Sequence, residues 1–281
     1  MVKYSLTYFI MLGSLLAVDT HPSSIIRNDY GFIDYTNRII VCMGITNIST
    51  QNNGDDFKLV IEKSLKLSKG EAKTYARKNL LDLIKLVNLD GRTVGDIMLS
   101  EPFIGRRVES LVGSAFQYGE VKYLEKNQLA ISLAVKMSSL AEILIDTNGY
   151  MNKMIAQSTY LMTRSTIPKN ERISGIIIDA RHIDQIPALV PKIYNEDKTL
   201  IYGSRHYTRS RSVNRGTIGY ASSMEDSNVQ RRVGNTPILV EAIGSNNEVN
   251  LIVSNLDGER IRNAEKKFGL LSNCKVLVLL K

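Results

Sequence analysis

Leu129-Ala-Ile-Ser-Leu-Ala-Val-Lys-Met137 alternates without a fault, with Leu129, Ile131, Leu133, Val135 and Met137 set against Ala130, Ser132, Ala134 and Lys136. A strict period of two describes a strand with one well-buried face. Before it, Glu125-Lys126-Asn127 can turn the chain, and Val121 and Tyr123 alternate with polar residues, so a hairpin is expected. After it, Ser138-Ser139 caps a short helix carrying Leu140, Ala141 and Leu144.

Upstream, Ser68-Lys69-Gly70-Glu71 has the form of a capping box. It precedes a stripe of Ala72, Ala76, Leu80, Leu83, Ile84 and Val87 at helical spacing. A second helix is expected from Ser100-Glu101-Pro102, with Ile104, Val108, Leu111, Val112 and Ala115 as its stripe. Arg106 and Arg107 are adjacent on it and read either as an anion contact or as a solvated flank. Gly31 to Tyr35 and Arg38 to Met43 form another hairpin, and Thr46 to Asp56 reads as a loop. Residues 30–148 therefore read as one module, helices on one side of an antiparallel sheet.

Residues 149–172 are polar and read as a connector. Strand patterning restarts at Gly175-Ile-Ile-Ile-Asp179. Lys192 to Tyr194 and Thr199 to Tyr202 flank Asn195-Glu-Asp-Lys198, a hairpin with turn chemistry. Pro237 to Ala242 and Val249 to Val253 are two further strands, and Ser254 can cap a helix reaching Lys267 with Ile261, Ala264 and Phe268 inward. Lys275 to Leu280 is apolar on both faces and is expected at the centre of its sheet. The fold class is α+β: two small modules, 30–148 and 173–281, each a mainly antiparallel sheet with helices packed on one side.

The pairing of Gly175-Ile-Ile-Ile-Asp-Ala-Arg181 with Pro187-Ala-Leu-Val-Pro-Lys-Ile-Tyr194, together with Tyr202-Gly203, Arg232-Val-Gly-Asn235 and Ile252-Val-Ser-Asn-Leu256, resembles the LPP-type lipoprotein and flagellar FlgP- and FlgT-like group of exported envelope proteins. The helix Glu71 to Val87 followed by Asp90-Gly-Arg-Thr-Val94 resembles the amino-terminal domain of that group. The resemblance implies an envelope location, oligomeric rings or outer-membrane association and, in some members, a role around the flagellar motor. The chain departs from it by lacking a lipidated cysteine after Leu15-Leu16-Ala17.

Lys3 followed by the uncharged run Tyr4 to Val18 reads as a signal peptide, residues 1–17, cut near Ala17. The run is short of the ~20 residues a spanning helix needs. A periplasmic, exported protein is the expectation, with a buried amino-terminal strand or a retained anchor as the alternative. Net charge is +8, from 36 basic and 28 acidic residues. In an exported protein that points away from nucleic acid and toward anionic lipid, glycan or acidic protein faces. Cys42 and Cys274 are too few for a disulfide scaffold and read as small buried residues, with a bridge between them left open. His21, His182 and His206 have no ligand spacing, so no metal and no cofactor is expected.

No enzyme motif is present: no Gly-x-Ser-x-Gly elbow, no phosphate-cradling loop, no His-Glu-x-x-His. Asp179, Arg181, His182 and Asp184 crowd a strand end, but nothing supplies them with a nucleophile or an oxyanion site. Their expected roles are structural, Asp179 capping a turn and Arg181 pairing with an acid. Gly203 to Tyr220 is the most unusual stretch, holding Arg205, His206, Tyr207, Arg209, Arg211 and Arg215 with no acid. It is a candidate interaction surface, because arginine forks suit anions and tyrosine supplies contact area. Two functions are carried forward. The first is a non-enzymatic envelope assembly protein, homo-oligomeric or bound to other envelope or flagellar-motor proteins. The alternative is a binding module for an anionic lipid or glycan.

Overall fold

The structure, a computed structural model, describes residues 23–48, 57–145 and 172–281, with only the backbone of 57–59. The expected signal peptide (1–17) and residues 149–171 of the expected connector lie outside the described residues. Among the described residues, seven α-helices and thirteen strands in two sheets make an α+β fold. No helix among the described residues is long and apolar enough to cross a membrane.

The first sheet is antiparallel throughout. Strands β1 (Ile25–Asn28), β2 (Gly31–Asp34), β3 (Ile39–Asn47) and β6 (Gln128–Lys136) lie in that order. The short β4 (Phe116–Gln117) and β5 (Lys122–Leu124) both pair with the far side of β6. Thr46 and Asn47, placed in a loop by the sequence reading, extend β3 because β6 offers nine partners in unbroken register from Ile39↔Lys136 to Asn47↔Gln128. Helix α1 (Phe57–Lys85) lies across β3 and β6 and buries Ala72, Ala76, Leu80, Leu83 and Ile84. Its approach depends on Gly44, where a Cβ would overlap the Ala72 carbonyl and the Ala76 amide.

Helix α1 also begins earlier than its expected cap. Ser68 is buried inside it, its hydroxyl donating to the Asn47 carbonyl (3.1 Å), while Glu71 accepts from the Thr46 hydroxyl (2.9 Å). The serine and the glutamate thus tie the helix to β3 rather than start it. The capping box of this module lies instead at Thr93 and Asp96, opening the unforeseen α2 (Val94–Ser100). Helix α3 (Pro102–Gly113) starts at its proline and buries Ile104, Val108 and Val112. Helix α4 (Met137–Ile145) follows β6 directly and is buried along most of its length.

The second sheet runs β10 (Gly219–Ala221), β13 (Val276–Leu279), β7 (Ile176–Asp179), β11 (Ile238–Asn246), β12 (Asn250–Val253), β8 (Ile193–Asn195), β9 (Leu200–Tyr202). Here strand direction departs from the expectation of a mainly antiparallel sheet. The pairs β10–β13, β13–β7, β7–β11 and β12–β8 are parallel, and only β11–β12 and β8–β9 are antiparallel. The cause is visible in Ile176-Ile-Ile and Val276-Leu-Val-Leu, which are buried on both faces as parallel strands require. Helices accordingly cover both faces and not one. Helix α6 (Ser227–Val233) packs Val229 and Val233 against Ile177, Leu277 and Leu279. On the opposite face α7 (Asn255–Phe268), capped by Ser254, turns Ile261 and Ala264 into the main core.

That main core is continuous from the first sheet into the second, running from Ile33, Tyr35 and Ile40 to Ile176, Val240 and Val278. Leu189 and Val190 donate their amides to the carbonyls of Asn88 (2.9 Å) and Leu89 (2.7 Å). Tyr35 meets Tyr220 edge to face, with ring centroids 5.8 Å apart. The two sheets share one interior.

Candidate functional site

The arginine-rich stretch lies at the joint between the sheets. It opens with a short 3-10 turn, Ser204–His206, and continues as α5 (Arg209–Arg215) and β10. The expectation of one exposed surface is corrected here, because the stretch divides between surface and interior. Arg205 and Arg211 are exposed, whereas His206, Arg209 and Arg215 are half-buried. Tyr207 is buried, its ring against Tyr202 with centroids 5.4 Å apart. A tyrosine beside two further aromatic rings gains more by joining that cluster than by facing water.

The four arginines have found acceptors, and these are backbone carbonyls. Arg205 Nη2 donates to Leu200 O (2.8 Å), Arg209 Nη2 to Glu142 O (2.9 Å), Arg211 Nη1 to Ser272 O (2.7 Å) and Arg215 Nη2 to Arg232 O (2.6 Å). Among the described residues, Arg209 adds a carboxylate, Glu142 Oε1 at 3.9 Å. The last carbonyls of α5 are held in turn by two arginines that the sequence reading did not single out as functional. Arg38 donates to Val213 O (2.8 Å) and Asn214 O (2.7 Å). Arg232 donates to Arg215 O (2.7 Å), Gly216 O (2.8 Å) and Val276 O (2.7 Å). A helix end leaves such carbonyls unpaired, and positive charge there also suits the helix dipole. Arg38 comes from the β2–β3 turn, where it sits at φ 58°, so its clamp joins the two sheets.

This cationic joint surrounds a nucleophile and quiets it. Cys274 is a buried free thiol bonded to the Tyr202 hydroxyl, with Arg232, Arg215 and Arg211 nearby. The arginines favour the thiolate, but burial outweighs them and pushes the thiol above its ordinary value. Burial likewise lowers Arg232 to about 10, which leaves it charged at neutral pH. His206 is pushed below its ordinary value, chiefly by burial. Cys42 is also a buried free thiol, so the bridge left open above is absent between these two cysteines. No cluster of His, Cys, Asp or Glu among the described residues could hold a metal.

The acids and bases at the carboxyl end of β7 pair among themselves. Arg181 lays its fork on Asp179 (Nε to Oδ1 2.9 Å, Nη2 to Oδ2 2.5 Å) and holds that carboxyl below the usual range. His182 Nε2 lies 3.7 Å from Glu241, and Lys281 Nζ 2.9 Å from Asp184. The Arg181–Asp179 and Lys281–Asp184 contacts are solvent-facing ion pairs, of the kind that contribute about 0–1 kcal/mol each.

Two further surface features stand apart. On the outer side of β6, the β4–β5 edge exposes Phe116 (42%), Tyr118 (45%), Tyr123 (60%) and Leu124 (40%). At the amino-terminal ends of β7, β11 and β13 there is a recess of about 310 Å³. Arg172, Lys275 and Asn235 line its polar side, and Ile173, Phe268 and Leu270 line the other.

Residues 175–281 match the protein family described as Treponema pallidum Tp0624, second domain. The match begins one residue before β7 and spans the whole second sheet. No curated protein matches the chain.

Proposed function

We propose that this chain is a non-enzymatic assembly protein of the cell envelope, exported by its amino-terminal segment and built to associate with copies of itself. The observation that carries the reading is the β4–β5 edge. Among the described residues β4 and β5 pair only with β6, leaving one side of each strand open beside Phe116, Tyr118, Tyr123 and Leu124. An exposed apolar edge invites another strand unless it is protected. The shared core gives such a partner a rigid platform. The resemblance to envelope proteins supports the location. The Tp0624 match adds that a unit like the second sheet also occurs within a larger protein.

The test is a pair of substitutions on exposed positions, Tyr118→Lys and Tyr123→Lys, read by sedimentation velocity. They should raise the dissociation constant of the oligomer at least tenfold while the circular dichroism stays unchanged. An unaltered dissociation constant would remove the edge from the account.

A further inference from the structure

The recess beside the connector has a chemistry that self-assembly does not use. Its backbone frame is tightly held. Ser174 donates its hydroxyl to Val233 O (2.6 Å) and accepts from the Thr236 amide (2.9 Å), while the Thr236 hydroxyl donates to Arg172 O (2.6 Å). The strand amides of Ile176 and Ile238 bond Lys275 O (2.9 Å) and Gly175 O (3.0 Å). The positions of Arg172, Lys275 and Asn235 are therefore set by β7, β11 and β13 together.

Those positions gather positive charge. Burial lowers the proton affinity of the Lys275 ammonium, and the charges of Arg215 and Arg172 lower it further. Glu265, the acid at the neighbouring end of α7, is held by the amides of Leu271 (2.6 Å) and Ser272 (3.3 Å). Asn235 uses its Oδ1 to accept from Gln230 (2.7 Å), which turns its amide nitrogen into an available donor. Like charges held together disfavour the empty protein, and an anion between them relieves the repulsion.

We propose that this recess binds a phosphate ester, with Arg172 and Lys275 as its cationic walls, Asn235 as a neutral donor, and Ile173, Phe268 and Leu270 against the organic part of the ligand. A guanidinium fork spans two phosphate oxygens, and an ammonium supplies a point charge for a third. A recess of about 310 Å³ suits a group the size of a glycerol phosphate, free or as a lipid headgroup. The proposal is independent of the edge strand and stands or falls without it.

The experiment is titration calorimetry of the full chain at low salt with sn-glycerol 3-phosphate, and vesicle co-sedimentation with phosphatidylglycerol in phosphatidylcholine. Three proteins are compared: the unaltered chain, Arg172→Gln/Lys275→Gln, and Lys63→Gln/Lys78→Gln, at two exposed positions of α1, as a control with equal loss of charge. The first should bind glycerol phosphate, the recess variant at least tenfold more weakly, and the control unchanged. The recess variant should melt no lower than the unaltered chain, since a repulsion has been removed, which separates a binding role from a structural one. Vesicle binding that only the recess variant loses, without binding of the soluble ester, would assign the headgroup as the source. Equal losses in both variants would reduce the effect to diffuse surface charge and overturn the site, as would an unaltered chain that binds neither ligand.

Discussion

Arg215 and Arg232 hold each other's backbone. The Arg215 guanidinium donates to the Arg232 carbonyl (2.6 Å), and the Arg232 guanidinium donates to the Arg215 carbonyl (2.7 Å). Two like charges can lie this close because each faces the partial negative charge of a helix end. Arg232 does more, bridging the end of α5 to β13 through three carbonyls. Arg232→Met should keep much of the packing and leave those carbonyls unpaired, costing about 2–4 kcal/mol. Urea titration of the variant reads that loss as a lower midpoint at unchanged slope.

Arg38 ties the β2–β3 turn to the same helix end, and the core continues beneath it. Unfolding of the described body should therefore be a single transition seen alike by far-UV dichroism and by tyrosine fluorescence. Arg38→Ala removes two charge-assisted bonds and should lower stability by about 1–3 kcal/mol without splitting that transition. Two separated melts in the unaltered protein would mean that the sheets are independent.

His206 gives the joint a pH dependence with a definite sign. Burial holds its folded pKa below the ordinary 6.5, so the folded state takes up a proton less readily than the unfolded chain. Its contribution is fully present above pH 6.5 and is lost as pH falls through the lowered folded value. Comparing melting temperatures at pH 8 and pH 5 for the unaltered protein and His206→Gln isolates this term. The substitution should make the acid-side fall shallower.

Gly44 is the point of closest approach between α1 and β3. Gly44→Ala sets a methyl group against backbone atoms of Ala72 and Ala76, which cannot move as a side-chain tip can. The expected cost is about 3 kcal/mol or more, read by thermal denaturation.

Much of this fold is legible in the chain because the signals are local. The alternation from Leu129 to Met137, the Asn195 to Lys198 turn, the proline that opens α3 and the Ser254 cap each specify their element through neighbours in sequence. The doubly apolar Val276 to Leu279 likewise falls inside its sheet, between β10 and β7. Strand direction is a different matter. Nothing near Ile176 says that it will pair with Ile238 and Val276, and those distant partners make the second sheet mostly parallel. Helices α2, α5 and α6, each of seven residues, are too short for their stripes to rise above the surrounding polar residues. The arginines were conspicuous as a run without acids, which pointed outward. Their acceptors are carbonyls, and carbonyls have no letter in the sequence. Arg38 and Arg232 became visible only when folding brought them to the end of α5.

The most direct test of self-assembly is the molar mass of the purified chain by light scattering behind gel filtration, from micromolar to near-millimolar concentration. The account predicts a defined multiple of the chain mass that falls toward the single-chain value on dilution, and at a higher concentration for Tyr118→Lys/Tyr123→Lys. A single-chain mass across the whole range would contradict it.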